Sequence, residues 1–201
     1  MRTLLAVLFV LLALPSAAQP ARELSPQDLA DVARVEAYFN AITTMKARFT
    51  QVGPRGEIVE GWFYLNRPGR LRFEYDPPSP VLVVADGFRL IYYDKQLDQE
   101  NAWPVAGTPL GPLLAREVTF DRKAVIGVSR DPGVLRVTVV DPGKRDEGSM
   151  TLVFSDGPLE LRQWTVVDVQ GLSTIVALTN LEMKPVLDPD LFRPPERKEE
   201  R

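Results

Sequence analysis

The sequence predicts a mainly β (α+β) protein, an antiparallel meander of about ten or eleven short strands that curls on itself behind one amphipathic helix. Three observations carry this. Apolar residues alternate with polar ones in short runs, turn dipeptides recur between those runs at regular spacing, and a single segment near the N-terminus carries apolar residues three and four apart. The 201 residues, 45% hydrophobic and 25% charged, suit one domain or two small ones.

The chain opens with Met1-Arg2 and an apolar run of 11 residues from Leu4 to Leu14, shorter than the roughly 20 residues that span a bilayer. Pro15 breaks it, and Ser16-Ala17-Ala18 puts small side chains at the −3 and −1 positions of a cleavage site. Residues 1–18 therefore read as a signal peptide cut after Ala18, with an N-terminal anchor as the alternative. With no Cys available for lipid attachment, the expected product is soluble and periplasmic. It comprises one domain over residues 19–195 and a disordered tail at 196–201, where every residue is charged.

Ser25-Pro26-Gln27-Asp28 reads as a helix start, with Ser25 as N-cap, Pro26 at N1 and Asp28 near the positive helix end. Leu29, Val32, Val35, Phe39 and Ile42 then lay one apolar stripe along a helix to about Thr44. The period switches to two at Ala47, Phe49 and Gln51, and Gly53-Pro54-Arg55-Gly56 turns the chain. Val59, Gly61, Phe63 and Leu65 make the next strand, and Leu71, Phe73 and Tyr75 the one after Arg67-Pro68-Gly69. Residues 81–85 and 88–93 form a hairpin around Asp86-Gly87, and residues 96–103 pair back. Leu110, Leu113 and Leu114, in a stretch rich in Pro and Gly, predict a short apolar helix. Five further strands follow at 123–129, 134–140, 149–154, 159–167 and 173–182, separated by Asp-Pro-Gly, Asp-Gly-Pro and Gln-Gly turns. So many strands cannot lie in one flat sheet.

The chemistry available is narrow. Without Cys or His, thiol catalysis, Ser-His-Asp catalysis, His-held haem and ordinary zinc sites are excluded. A net charge of −3 from 24 Lys+Arg and 27 Asp+Glu offers no basic field, so no nucleic-acid partner is expected. A glycosidase-like carboxylate pair is the nearest enzymatic option. However, Asp86, Asp131, Asp141 and Asp156 sit in turns, and Glu60 and Glu74 on polar strand faces. The stretch from Asp141 through Asp146 to Glu147 lacks the ligand alternation of a calcium loop. We expect no catalytic residues, metal or cofactor.

What remains is apolar surface. One helix and a leucine-rich segment are a modest filling for the hollow side of a curled sheet of this size, which leaves room for an apolar pocket. Its candidate lining is the inward set Phe49, Phe63, Leu65, Leu71, Phe73, Tyr75, Leu90, Tyr92 and Trp103. The same residues would also make an ordinary solid core.

Phe49-Thr50-Gln51, then Gly61-Trp62-Phe63-Tyr64-Leu65-Asn66-Arg67-Pro68, then Leu82-Val83-Val84-Ala85-Asp86-Gly87 leading to Tyr93, and Gln99 resemble in order and spacing the LolA family of periplasmic outer-membrane lipoprotein carriers. The segment from Thr108-Pro109-Leu110 to Ala115-Arg116 and the closing Phe192-Arg193-Pro194-Pro195 also fit. The resemblance implies an unclosed β-barrel with a helical lid over a cavity for the acyl chains of lipoproteins. It implies loading by an inner-membrane LolCDE release complex, unloading to a LolB receptor, a monomer, and no active site.

Carried over to this chain, Arg67 is the residue that hydrogen-bonds lid backbone and holds the empty carrier shut; read alone, it is an exposed Arg entering a turn. Leu71 and Phe73 would line the cavity. Leu29, Val32, Val35, Phe39, Ile42, Leu110, Leu113 and Leu114 would form the lid. Arg70 and Arg72 would face outward without an assigned role, and the first inter-strand turn is shorter than in the best-known members. A half-barrel that binds or senses another amphiphile, and an interaction module with a solid interior, are the rival readings.

Overall fold

The computed structural model describes residues 23–194; the expected signal peptide and charged tail lie outside them. Helix α1 (Pro26–Ala41) leads into strands β1 (Thr44–Val52), β2 (Ile58–Asn66), β3 (Arg70–Tyr75), β4 (Val81–Asp86), β5 (Arg89–Asp94) and β6 (Gln99–Pro104). After the short helix α2 (Gly111–Leu114) come β7 (Val125–Asp131), β8 (Val134–Val139), β9 (Gly148–Asp156), β10 (Leu159–Asp168) and β11 (Ser173–Met183). The eleven strands among the described residues form one antiparallel sheet in the order β6-β5-β4-β3-β2-β1-β11-β10-β9-β8-β7. The chain thus makes two meanders joined where β11 returns to β1. β6 and β7 remain unpaired edges, so the curled sheet is unclosed, as the family resemblance implies.

The start of α1 follows from its first residues. The Asp28 backbone N–H donates to the Ser25 hydroxyl at 3.1 Å, and the Ser25 N–H donates to the Asp28 carboxylate at 2.9 Å. This capping box satisfies two otherwise orphaned helix-end groups. Arg130 on β7 then bonds both Asp28 and Asp31, at 2.9 and 2.6 Å, and Arg34 joins Asp31 to Asp156 at the end of β9. The N-terminal end of α1 is therefore anchored by charge to the β7–β10 side of the sheet.

The Ser25 bonds first, and Arg130 after them, hold the Asp28 carboxyl at about 2, below its ordinary 3.8. A carboxylate depressed in the folded state stabilises above its unfolded pKa and loses that contribution as pH falls through the folded one. Stability is therefore expected to be flat in Asp28 above about pH 5 and to drop between about pH 4 and 2. With screening around the half-exposed Arg130, the drop is on the order of 1 kcal/mol. Chemical denaturation of wild type and Asp28→Asn across that range checks it; the variant is expected to give the shallower slope.

The structure moves several predicted boundaries. α1 stops at Ala41 rather than Thr44, because Ile42 is already extended and Thr44 opens β1 opposite Asn66. Phe88 is not in a strand. It is 85% exposed in the β4–β5 turn, where Asp86 accepts the N–H groups of Phe88 and Arg89 at 2.9 and 2.8 Å. β6 starts at Gln99 rather than residue 96, and β7 at Val125 rather than 123. Arg72 now has a place on the outer face. It donates to Glu74 at 3.1 Å and to the Leu191 carbonyl at 3.2 Å, fastening the 3-10 turn Pro189–Phe192 against β3 and β4 with Phe192 buried. Arg70 is exposed.

Candidate functional site: an apolar cavity under two helices

The inner face of the sheet is built by register. Met45, Leu65, Leu71 and Ala85 lie in one row across β1 to β4, and Ala47, Phe63, Phe73 and Val83 in the next. Gly61 stands between Phe49 and Tyr75 in the following row. A Cβ there would come within 2.1 Å of the Glu74 carbonyl oxygen and 2.7 Å of the Phe49 ring. Its absence lets Phe49 and Tyr75 meet edge to face with centroids 5.0 Å apart. Phe63, Phe73 and Trp164 extend this aromatic floor, with Phe63 and Phe73 at 4.8 Å and Phe63 and Trp164 at 5.9 Å.

Over this floor lie α1 and α2. Val32, Val35, Phe39 and Ile42 are buried against it, as are Leu113 and Leu114, while Leu29 and Leu110 are half-buried. Between lid and floor is a cavity of about 30 Å³ lined only by apolar side chains, among them Phe39, Leu110, Leu113 and Leu114 from the lid and Phe63, Leu65 and Leu71 from the sheet. That is room for about two waters, so α1 and α2 sit closed down on the floor. Beyond Leu113, which lines both, an open groove of about 500 Å³ runs between residues 106–124 and the ends of β8, β9 and β10.

Arg67 occupies the junction of sheet and lid. Its guanidinium donates to the carbonyls of Phe39 and Ile42 at the end of α1, the latter at 3.4 Å. It also reaches those of Ala115 and Arg116 just past α2, at 2.6 and 3.3 Å. Helix-end carbonyls lack intrahelical donors and carry partial negative charge, so a forked cation satisfies several at once. Burial alone pushes the Arg67 pKa down. The Gly69 N–H adds a bond to the Leu114 carbonyl at 2.8 Å. The lid pieces are also joined to each other. Asn40 exchanges two bonds with the Val118 backbone, at 2.9 and 2.8 Å, and Glu36 accepts the Phe120 N–H at 2.6 Å.

The family model described as "Outer membrane lipoprotein carrier protein LolA" matches residues 40–195, a span that includes the whole sheet, α2 and Arg67. The chain belongs to the LolA family. It is 33% identical over 187 residues to the outer-membrane lipoprotein carrier protein of Alkalilimnicola ehrlichii, covering 83% of this chain and 80% of that one. It is 28% identical to the protein of the same name in Methylobacillus flagellatus, covering 81% and 83%. Among solved structures, an uncharacterized conserved protein from Thermus thermophilus is similar in fold alone, with a TM-score of 0.51 at 15% identity over 85% of this chain and 96% of that one.

The nine residues named from the sequence for the cavity of this LolA-family chain separate into three groups. Phe63, Leu65 and Leu71 line it. Phe49 and Phe73 are buried in the core, with Tyr75 and Leu90 half-buried and packed against it. Tyr92 and Trp103 are corrected: they share the inner face but are 37% and 49% exposed. Alternation assigns a face and not a cover, and these two side chains are left uncovered. Met45, Leu161 and Trp164 line the cavity and escape the sequence reading. Met45 falls between the predicted helix, taken to Thr44, and the first predicted inward strand position, Ala47, whereas β1 begins at Thr44. Leu161 and Trp164 point inward together because the β9–β10 register shifts between Leu161 and Gln163, and a bulge breaks period two.

Proposed function

We propose that this protein is a periplasmic carrier that takes up the acyl chains of lipoproteins released from the inner membrane and hands them to an outer-membrane receptor. The single observation that carries the reading is the wholly apolar cavity shut under a lid whose ends are gathered by Arg67. Such a device conceals acyl chain from water, at about 0.8 kcal/mol for each CH₂ buried, and gives it up again by closing. Its relatives are named carriers and not enzymes, and a cavity lined only by apolar side chains offers no group for bond chemistry. Arg67 acts here as the lid latch. A release complex of the LolCDE kind and a receptor of the LolB kind are the proposed partners, with the carrier monomeric.

The test is loading in solution. Mixed with a detergent-solubilised triacylated lipoprotein and then freed of detergent, the purified chain is expected to hold it soluble as a one-to-one complex. The same lipoprotein with its acyl chains removed is expected to stay unbound. Equal retention of both forms, or of neither, overturns the reading.

A further inference from the structure

The floor of the cavity has one place where the sheet does not complete itself. β10 pairs with β9 from Leu159 onward, but with β11 only over Gln163–Val167. Past Ala177, β11 continues along β1, with Leu178 opposite Phe49 and Met183 opposite Met45. The first residues of β10 thus have a strand on one side only. Leu161, whose side chain lines the cavity, donates its backbone N–H to the Tyr38 hydroxyl on the lid helix at 3.1 Å. Tyr38 is seated by edge-to-face contacts with Phe39 and Phe154, both at 5.5 Å between centroids. Burial pushes its phenol pKa up, so it stays neutral.

A buried N–H left without an acceptor is costly. In the shut protein the lid supplies that acceptor; when α1 lifts, it takes the hydroxyl away. The donor is then left in the gap beside β10, next to a cavity wall to which Leu161, Phe63 and Trp164 contribute apolar side chains. Acyl chains bring one kind of polar group with them, the carbonyl that links each chain to its carrier group.

We propose that the Leu161 N–H is a carbonyl-binding point within the acyl site, masked by the Tyr38 hydroxyl when the lid is shut and taken over by an ester or amide carbonyl of the cargo when it opens. The inference rests on the carrier reading above and adds to it a polar contact that fixes how deep the chain sits. Tyr38 is a positioning residue in this scheme, since it acts through the donor it covers.

Two probes of equal chain length separate the outcomes: methyl hexadecanoate, which has the carbonyl, and hexadecyl methyl ether, which does not. Binding is read by displacement of an apolar dye, and the Leu161 amide by residue-resolved hydrogen exchange. In wild type the ester is expected to bind about tenfold more tightly than the ether, the worth of one well-made hydrogen bond. Leu161 is expected to stay protected with ester bound and to exchange faster with ether bound. Tyr38→Phe keeps the ring contacts and removes the oxygen. It is expected to raise Leu161 exchange in the empty protein about tenfold, and the ester alone is expected to restore protection. Equal affinities and equal protection for the two probes in wild type overturn the proposal whatever the variant does, as does unchanged Leu161 exchange in a folded Tyr38→Phe. If neither probe displaces the dye while the lipoprotein loading assay also fails, the carrier reading falls, and this site with it.

Discussion

Leu71→Glu is expected to abolish acyl-chain loading at pH 7, by about 100-fold or more. Leu71 is 1% exposed and faces a cavity lined only by apolar side chains. A carboxylate there has no donor in the shut state, and desolvating it costs several kcal/mol. It escapes by lifting the lid and hydrating, a route closed again when an acyl chain takes the water's place. The loaded state therefore bears the larger part of the penalty, and about 3 kcal/mol is enough for the stated loss. Burial also raises a carboxyl pKa, so loading should recover in part near pH 5, where the neutral acid predominates. Leu71→Met, which conserves volume, should load like wild type and cost less than about 1.5 kcal/mol in stability. Dye displacement and thermal melts at the two pH values check all three. Wild-type loading by Leu71→Glu at pH 7 would remove Leu71 from the acyl site, and an insoluble product would mark it as ordinary solid core.

Arg67→Leu is expected to load at least as well as wild type and to release its cargo about 30-fold more slowly to a receptor. The four carbonyls at Phe39, Ile42, Ala115 and Arg116 that share one guanidinium lose their charged donor together, and only the shut state contains those bonds. Hydrogen bonds to a charged group contribute roughly 1.5–3 kcal/mol, and a net loss of about 2 kcal/mol moves the open-to-shut ratio about 30-fold toward open. Loading then requires less work, while the drive to close behind the departing chains is gone. Lys at position 67 keeps the charge but not the planar fork, and a milder defect is expected. Transfer of a labelled lipoprotein from loaded carrier to receptor is the measurement. Normal transfer with weakened loading would make Arg67 a contact at the mouth, not a latch.

Much of this fold is legible in the residues alone, for definite reasons. Alternation such as Leu71, Phe73 and Tyr75 against Arg70, Arg72 and Glu74 announces a strand with one wet and one dry face, and Ser25-Pro26-Gln27-Asp28 announces a capped helix. What stays hidden depends on long-range geometry. Nothing local in Arg130 reveals that Asp28 and Asp31 lie across from it, about a hundred residues earlier. Period two names the inner face at Tyr92 and Trp103 but says nothing about how far the lid extends. At Leu161 and Trp164 a register shift sends an odd and an even position to the same side, so strict alternation chooses one and loses the other. Arg67 is legible only through resemblance, since a charged residue before Pro-Gly reads as a surface turn by itself.

The shut cavity has a thermodynamic consequence for affinity. Leu110, Leu113, Leu114 and Phe39 line the closed cavity, so on the proposed carrier reading they compete with cargo for its space. Every chain that enters must evict side chains whose burial was worth about 1.5–3 kcal/mol apiece. Binding is thus an exchange of one oily occupant for another, and its net free energy is far smaller than the apolar area covered would indicate. Lengthening or trimming those lid side chains should set affinity without touching the floor. It would act as a rheostat that lets one sheet serve cargoes with chains of different length.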